Sequence, residues 1–175
     1  MADGTLKVGT ITNSAGSGNI TIGSGVTLLS DVPAFEAYLG SDTTISDATY
    51  TKVEFNTEVY DTDSTYDNSS NYRFTPAIEG KYYIYGNILM ETTGGHELDL
   101  GITSIYKNGS AYRQTVFNPS SSSLFAANIF IDAVMDLNAT DYIEIFAYID
   151  RTSGGDKTIK ATTKSTYFGA YKIGA

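Results

Sequence analysis

From Tyr142 to Ile149 the chain reads Tyr-Ile-Glu-Ile-Phe-Ala-Tyr-Ile. Ile143, Ile145, Ala147 and Ile149 recur at every second position, the period of a β-strand, whose successive side chains point to opposite faces. The alternate set is Tyr142, Glu144, Phe146 and Tyr148. It carries three rings where a water-facing sheet would carry polar residues. A segment that is apolar on both faces needs cover on both. The doubling recurs at Tyr82, Ile84 and Ile88 against Tyr83, Tyr85 and Leu89, and again at Tyr167, Tyr171 and Ile173 against Phe168 and Ala170. Placed on one sheet, the outer rings would form a larger apolar patch than lone domains tolerate. Burying it between copies would remove roughly 1,000 Å² or more per contact. An obligate oligomer is therefore expected, with Tyr83, Tyr85, Tyr142, Phe146, Tyr148 and Phe168 at the contact. The competing reading covers these rings with loops or with the N-terminal segment.

The rest of the chain has the same two-residue period. Pro33 to Leu39 places Phe35, Ala37 and Leu39 on one face, and Val53 to Val59 alternates in the same way. Leu98–Lys107 and Ala111–Phe117 flank Asn108-Gly109, a strong hairpin signal. Strands are also expected over Tyr72–Thr75, Gly80–Glu91, Leu124–Leu137, Tyr142–Asp150 and Thr166–Ile173. No segment keeps apolar residues at helical spacing for three turns. About ten strands, with turns every 8–12 residues, predict an all-β, two-sheet sandwich or barrel.

A length of 175 residues suits one domain with a short appendage, long enough to bury a core unaided. There is no cysteine, so no disulfide contributes. A net charge of −9 argues against a nucleic-acid partner, because phosphate binding rests on clustered Lys and Arg. No apolar run is long enough to span a membrane, and no insertion is expected. Met1 to Thr5 lacks a basic region followed by an apolar block, so no secretory signal is read there. Tyrosine is enriched, with 14 copies. Its broad apolar ring and polar tip suit half-buried faces and contacts, although β-proteins favour it in any case.

Residues 1–30 differ from the remainder. Thr5–Thr12, Asn19–Ile22 and Val26–Leu28 alternate, with Gly- and Ser-rich turns between them. They hold too few apolar residues to close a core alone. A flexible linker is one reading. A stem in which three chains lend one another apolar faces is the other, and the alternating Ile and Val favour it. The stretch Thr10–Gly16 through Ile20–Ile22 also resembles repeats near the N-termini of marine bacteriophage fibre proteins. Residues 1–30 are accordingly expected to be a stem or virion-attachment segment, and 31–175 a single knob.

Phe55, Asp61, Tyr66, Phe74, Gly80 and Tyr82 follow in an order that resembles the signature of the C1q head domain, the jelly roll shared with the tumour necrosis factor ligands. Tyr106-Lys107-Asn108-Gly109 is similar to that family's hairpin, and Ser165-Thr166-Tyr167-Phe168-Gly169 to its closing strand. The likeness runs from about residue 33 to 173. One extra residue lies between Tyr66 and Phe74, Ile84 replaces the signature Phe, and the collagen-like stem is absent. The resemblance implies a jelly-roll homotrimer; threefold symmetry comes from it and not from the periodicity. It also implies a non-enzymatic role. Joined to the fibre-like repeats, it points to a structural protein of a bacteriophage virion: a tail or head fibre knob, or a capsid decoration. Such a protein would act in host-surface adhesion or particle stabilisation, held to other virion proteins through residues 1–30. A secreted adhesion or signalling ligand of the same superfamily, extracellular in place, is the alternative.

Recognition of a host-surface glycan or protein is expected on loops, which vary without disturbing a scaffold. The candidates are Asp61, Asp63, Tyr66 and Asn68, then His96, Ser121 and Arg151. The acidic loop residues Asp61, Asp63 and Asp67 are weak candidates for calcium, an ion the family resemblance brings in, but the run lacks the EF-hand's Gly and Glu. A solvated turn is the better reading there, and no cofactor is expected. His96 is the sole histidine, and without cysteine it builds no typical zinc site. No nucleophile elbow surrounds a serine. A surface-polysaccharide hydrolase would need two carboxylates from Asp61, Glu97 and Asp99 within about 5–9 Å.

Overall fold

The computed structural model describes residues 24, 32–93, 97–119, 124–151 and 156–175, so His96, Ser121 and the expected stem, Ser24 apart, lie outside the described residues. Val32–Ala175 forms one compact unit of antiparallel strands.

Thirteen strands stand among the described residues. They are β1 (Ala34–Tyr38), β2 (Thr43–Ile45), β3 (Thr51–Lys52), β4 (Thr57–Asp61), β5 (Tyr66–Asp67), β6 (Arg73–Phe74), β7 (Gly80–Thr92), β8 (Leu98–Lys107), β9 (Ser110–Phe117), β10 (Ala126–Leu137), β11 (Ile143–Arg151), β12 (Lys157–Lys160) and β13 (Tyr167–Gly174). They build two sheets. In the first, β10 pairs with one edge of the long strand β7. The other edge of β7 is shared, with β12 against Leu89–Thr92 and β13 against Lys81–Asn87. β2 continues from β12, and β1 and β4 continue from β13. The second sheet runs β5-β6-β11-β8-β9, with β3 also on β11.

The change of partner along β7 is sealed by side chains. Thr166 Oγ1 accepts from the Leu89 amide at 3.0 Å, and Asn87 Nδ2 donates to the Ser165 carbonyl at 2.5 Å. Each side chain replaces a ladder bond that the junction interrupts, which satisfies groups too buried for water.

The strand expected over Val53–Val59 is displaced. Val53 and Phe55 are buried and Glu54 and Asn56 exposed, so the alternation is real. Residues 53–56 nevertheless form no ladder. They cross from β3 in the second sheet to β4 in the first, and only the Val53 amide bonds to β11, at the Ile145 carbonyl. Alternation reports which side faces apolar cover, and a crossing between sheets satisfies it as well as a strand does.

The core lies between the sheets. Phe35 from β1 stacks on Tyr66 and Phe74, with centroids 4.7 and 4.8 Å away, and meets the edge of Phe168 at 4.9 Å. Full burial of one such ring contributes about 2–3 kcal/mol. The hairpin forms as expected: Asn108 and Gly109 take φ values of 53° and 78°, the left-handed pair that a two-residue turn requires.

Candidate assembly face

The outward face of the first sheet is paved with tyrosine. Along β7 the side chains alternate, Tyr82 and Ile84 into the core and Tyr83 and Tyr85 outward. The register sets Tyr171 of β13 and Val134 of β10 on either side of Tyr83. The Tyr83 ring lies 5.4 Å from Tyr171 and 5.9 Å from Tyr85, and Tyr85 lies 6.2 Å from Tyr167. Opposite Tyr85 stands Gly169. A Cβ at this glycine would come within 2.4 Å of the Tyr85 ring, so only glycine lets that ring lie flat across β13.

Two carboxylates anchor the rings. Tyr85 Oη donates to Glu36 Oε2 and Tyr83 Oη to Asp132 Oδ2, both at 2.9 Å. Burial, then the Tyr60 hydroxyl and Glu36, push the Tyr85 phenol well above its usual range. The bond to Asp132, then burial, raise Tyr83. Both rings therefore stay neutral donors at physiological pH. Around them Tyr60, Phe130, Val134, Tyr171 and Ile173 are between 42% and 53% exposed. Phe130 and Val134 point outward from β10, and Tyr60 sits opposite Glu36 on β4. The face thus sets exposed apolar side chains around hydrogen-bonded hydroxyls, with the Asp132 and Asp136 carboxylates on the same side of β10.

Only Tyr83 and Tyr85 of the six expected contact residues stand on this face. Phe168 is fully buried against Phe35 and Phe55, so it has no surface to offer a second copy. Sequence phase in β13 was the source of the inversion: Phe168 and Ala170 point inward, leaving Tyr167, Tyr171 and Ile173 outward. Phe146 and Tyr148 belong to β11 in the second sheet, with Tyr142 just before that strand, and they cannot share a continuous face with β7. There the chain covers its own rings. Phe146 stacks on Tyr106 at 4.0 Å, Tyr148 meets Tyr50 at 5.0 Å, and the Arg73 guanidinium sits 4.4 Å above Tyr142. Between them Glu144 pairs with Lys52 at 3.1 Å.

The expected recognition residues do not form one patch. Asp61 pairs with Phe35, and the residues after it lie near Ile143, because Tyr66 faces Phe74 and Phe74 faces Ile143. The flanks of the other loops lie at the far end of β11, where Leu98 pairs with Arg151, Leu98 bonds to Leu124 and Thr93 to Asp156. Eight residues of extended strand separate the two ends, about 26 Å. Asp61 therefore cannot join Glu97 or Asp99 as a hydrolase pair.

Several of these residues have structural work instead. Tyr66 is 6% exposed and donates its hydroxyl to the Phe55 carbonyl. Arg151 is 3% exposed, with Nη1 on the Asp156 carbonyl. Neither is available to a receptor in the folded chain. The Asp61 carboxylate accepts from the Asp63 and Tyr66 amides and from Thr65 Oγ1, closing its turn. Asp67 accepts from the Ser69, Ser70 and Asn71 amides and from Asn71 Nδ2, and the amides of Ser70 and Ser69 foremost hold it far below the usual carboxylate range. These oxygens are spent on the loop's own donors, and no group of three His, Cys, Asp or Glu stands ready for a metal among the described residues. Asp63 and Asn68 remain half-buried in that loop.

No family model matches the chain, and no curated protein does. Solved structures match closely in shape. Eiger TNF from S. frugiperda is 14% identical with a TM-score of 0.60, over 82% of this chain and 94% of that one. Murine APRIL is 12% identical with a TM-score of 0.61, over 81% and 99%. The globular domain of zebrafish complement 1qA is 16% identical with a TM-score of 0.58, over 81% and 97%. The fold is that of the C1q and tumour necrosis factor jelly-roll head domains.

Proposed function

We propose that the chain is a non-enzymatic homotrimeric knob that assembles through the tyrosine face of its first sheet. The observation that carries this reading is that face itself. Tyr60, Phe130, Val134, Tyr171 and Ile173 are half exposed around a ring cluster in which the Tyr83 and Tyr85 hydroxyls are already satisfied within the chain. A surface with its polar groups satisfied and its apolar groups open is one that a second protein surface covers at low desolvation cost. A threefold contact joins two different patches of neighbouring copies. The second patch is the edge formed by β9 and β10, where Tyr112 and Val116 are also more than half exposed. β9 is the last strand of its sheet, and an unpaired strand of this length calls for cover.

We infer that the knob belongs to a bacteriophage virion, as a fibre tip or capsid decoration, and serves adhesion or particle stabilisation. The stretch Thr10–Gly16 through Ile20–Ile22, which resembles fibre-protein repeats, supports this setting. Recognition would fall to the loops flanked by Thr93, Glu97, Pro119, Leu124, Arg151 and Asp156, at the opposite end of the sandwich from Pro33. Three copies would present them together and gain avidity from weak sites. The secreted-ligand reading keeps support from the solved structures of similar shape. Two measurements test the proposal. Sedimentation velocity of the full chain should give a trimer mass, and a monomer in dilute buffer would refute the assembly. Antibody labelling of intact particles should mark fibres or capsid; labelling confined to a secreted cellular fraction would replace the virion setting with the alternative.

A further inference from the structure

The turn between β8 and β9 contains the chain's one Asn–Gly pair, and we propose that Asn108 is a latent deamidation site which the fold holds closed. The reaction is intramolecular. The Gly109 amide nitrogen attacks Asn108 Cγ, the bond from Cγ to the carboxamide nitrogen breaks, and ammonia leaves with the proton given up by Gly109. Water then opens the succinimide to aspartate or isoaspartate, and no oxidant or reductant is needed. Glycine favours this attack because no side chain hinders its nitrogen. Both residues are exposed, so sequence and access alone would make the site reactive.

The geometry opposes it. Asn108 Oδ1 accepts from the Tyr142 amide at 2.8 Å, and Nδ2 donates to Asp141 Oδ1 at 2.7 Å. The Asn108 amide in turn donates to the Tyr142 carbonyl at 2.9 Å. Asp141 is itself fixed by Lys107 Nζ at 2.9 Å and the Asn138 amide at 2.8 Å. The carboxamide is thus clamped at both ends to the connection between β10 and β11, and attack requires it to swing free of both.

Deamidation would undo the clamp permanently. It replaces the donor Nδ2 with a carboxylate oxygen facing Asp141, so attraction becomes repulsion between like charges. Isoaspartate also lengthens the backbone inside a two-residue turn whose geometry sets the register of β8 on β9. The modification therefore records how often this end of the sandwich opens, and once made it keeps that end open.

The test incubates the full chain in neutral buffer at body temperature, folded and in concentrated urea, and maps the peptide spanning residue 108 for aspartate and isoaspartate. The folded chain should convert at least about tenfold more slowly, since two hydrogen bonds must break first. D141A, confirmed folded by circular dichroism, should convert several-fold faster than the parent. Equal rates in the folded and unfolded chain would overturn the proposal, and so would a folded D141A as slow as the parent. If D141A does not fold, the comparison of folded with unfolded parent decides alone.

Discussion

Val134→Arg separates the assembly face from the fold. Val134 is 53% exposed on β10 and contributes little to the core. Its neighbours on the same face of the strand are Asp132 and Asp136, so an arginine there stays wet and favourably placed in a single chain. In an assembled knob the outcome differs. Loss of the remaining apolar burial costs about 1 kcal/mol per contact. Burial of the guanidinium together with the flanking Asp132 and Asp136 carboxylates costs about 3 kcal/mol more, because the desolvation of buried charges exceeds what their pairing returns. At about 4 kcal/mol per contact the affinity falls roughly a thousandfold, and a ring of three has three such contacts. Sedimentation velocity at micromolar concentration should show monomer, while far-UV circular dichroism and the thermal transition of the single chain stay those of a folded sandwich. If V134R sediments as the parent trimer does, the tyrosine face is not the contact and the reasoning from exposed area fails.

Phe35→Ala removes the ring around which Tyr66, Phe74 and Phe168 are stacked; it should cost about 3–5 kcal/mol and lower Tm by roughly 10 °C or more, read by calorimetry. A loss under about 1 kcal/mol would mean that the two sheets do not meet there. Lys107 foremost, then Asn108, hold the Asp141 carboxyl down to about 2 from its usual 3.8. A lowered folded-state value means stability that is present above about pH 4 and is lost as pH falls toward 2. The D141A chain should lack that part of the acid sensitivity in urea titrations at stepped pH. Identical pH profiles for the two chains would refute the assignment.

Most of the fold was legible because β-alternation survives in the sequence wherever a strand borders the core. Phe35, Ile84, Ile105 and Ile145 all point inward as their spacing says. The Asn108-Gly109 turn was equally plain, since few pairs adopt two successive positive φ values. The short strands β2, β3 and β5 were harder, because two or three residues carry no period, whereas β6 falls within the strand expected over Tyr72–Thr75. The face was misread for a different reason. A strand that is apolar on both sides does not say which side is the core, and in β13 the decision rests on Gly169, whose missing side chain makes room for Tyr85 on the outer face. Nor does a single strand reveal its sheet, so the rings of β7 and β11 looked like one surface until the pairing separated them. The Asp61 and Asp67 turns resembled a cation loop because carboxylates that cap backbone amides and carboxylates that ligate metal have the same composition.

The pairing of β1 with β13 joins Ala34 to Tyr171, so the middle of the first sheet closes only when residues more than 130 apart in the chain meet. A polypeptide leaving the ribosome holds Phe35 without its partner Phe168 until more than 130 further residues have been synthesised. High contact order of this kind makes folding slow. Removal of the final strand would not trim the sandwich but leave it split, with β1 and β4 detached from β7.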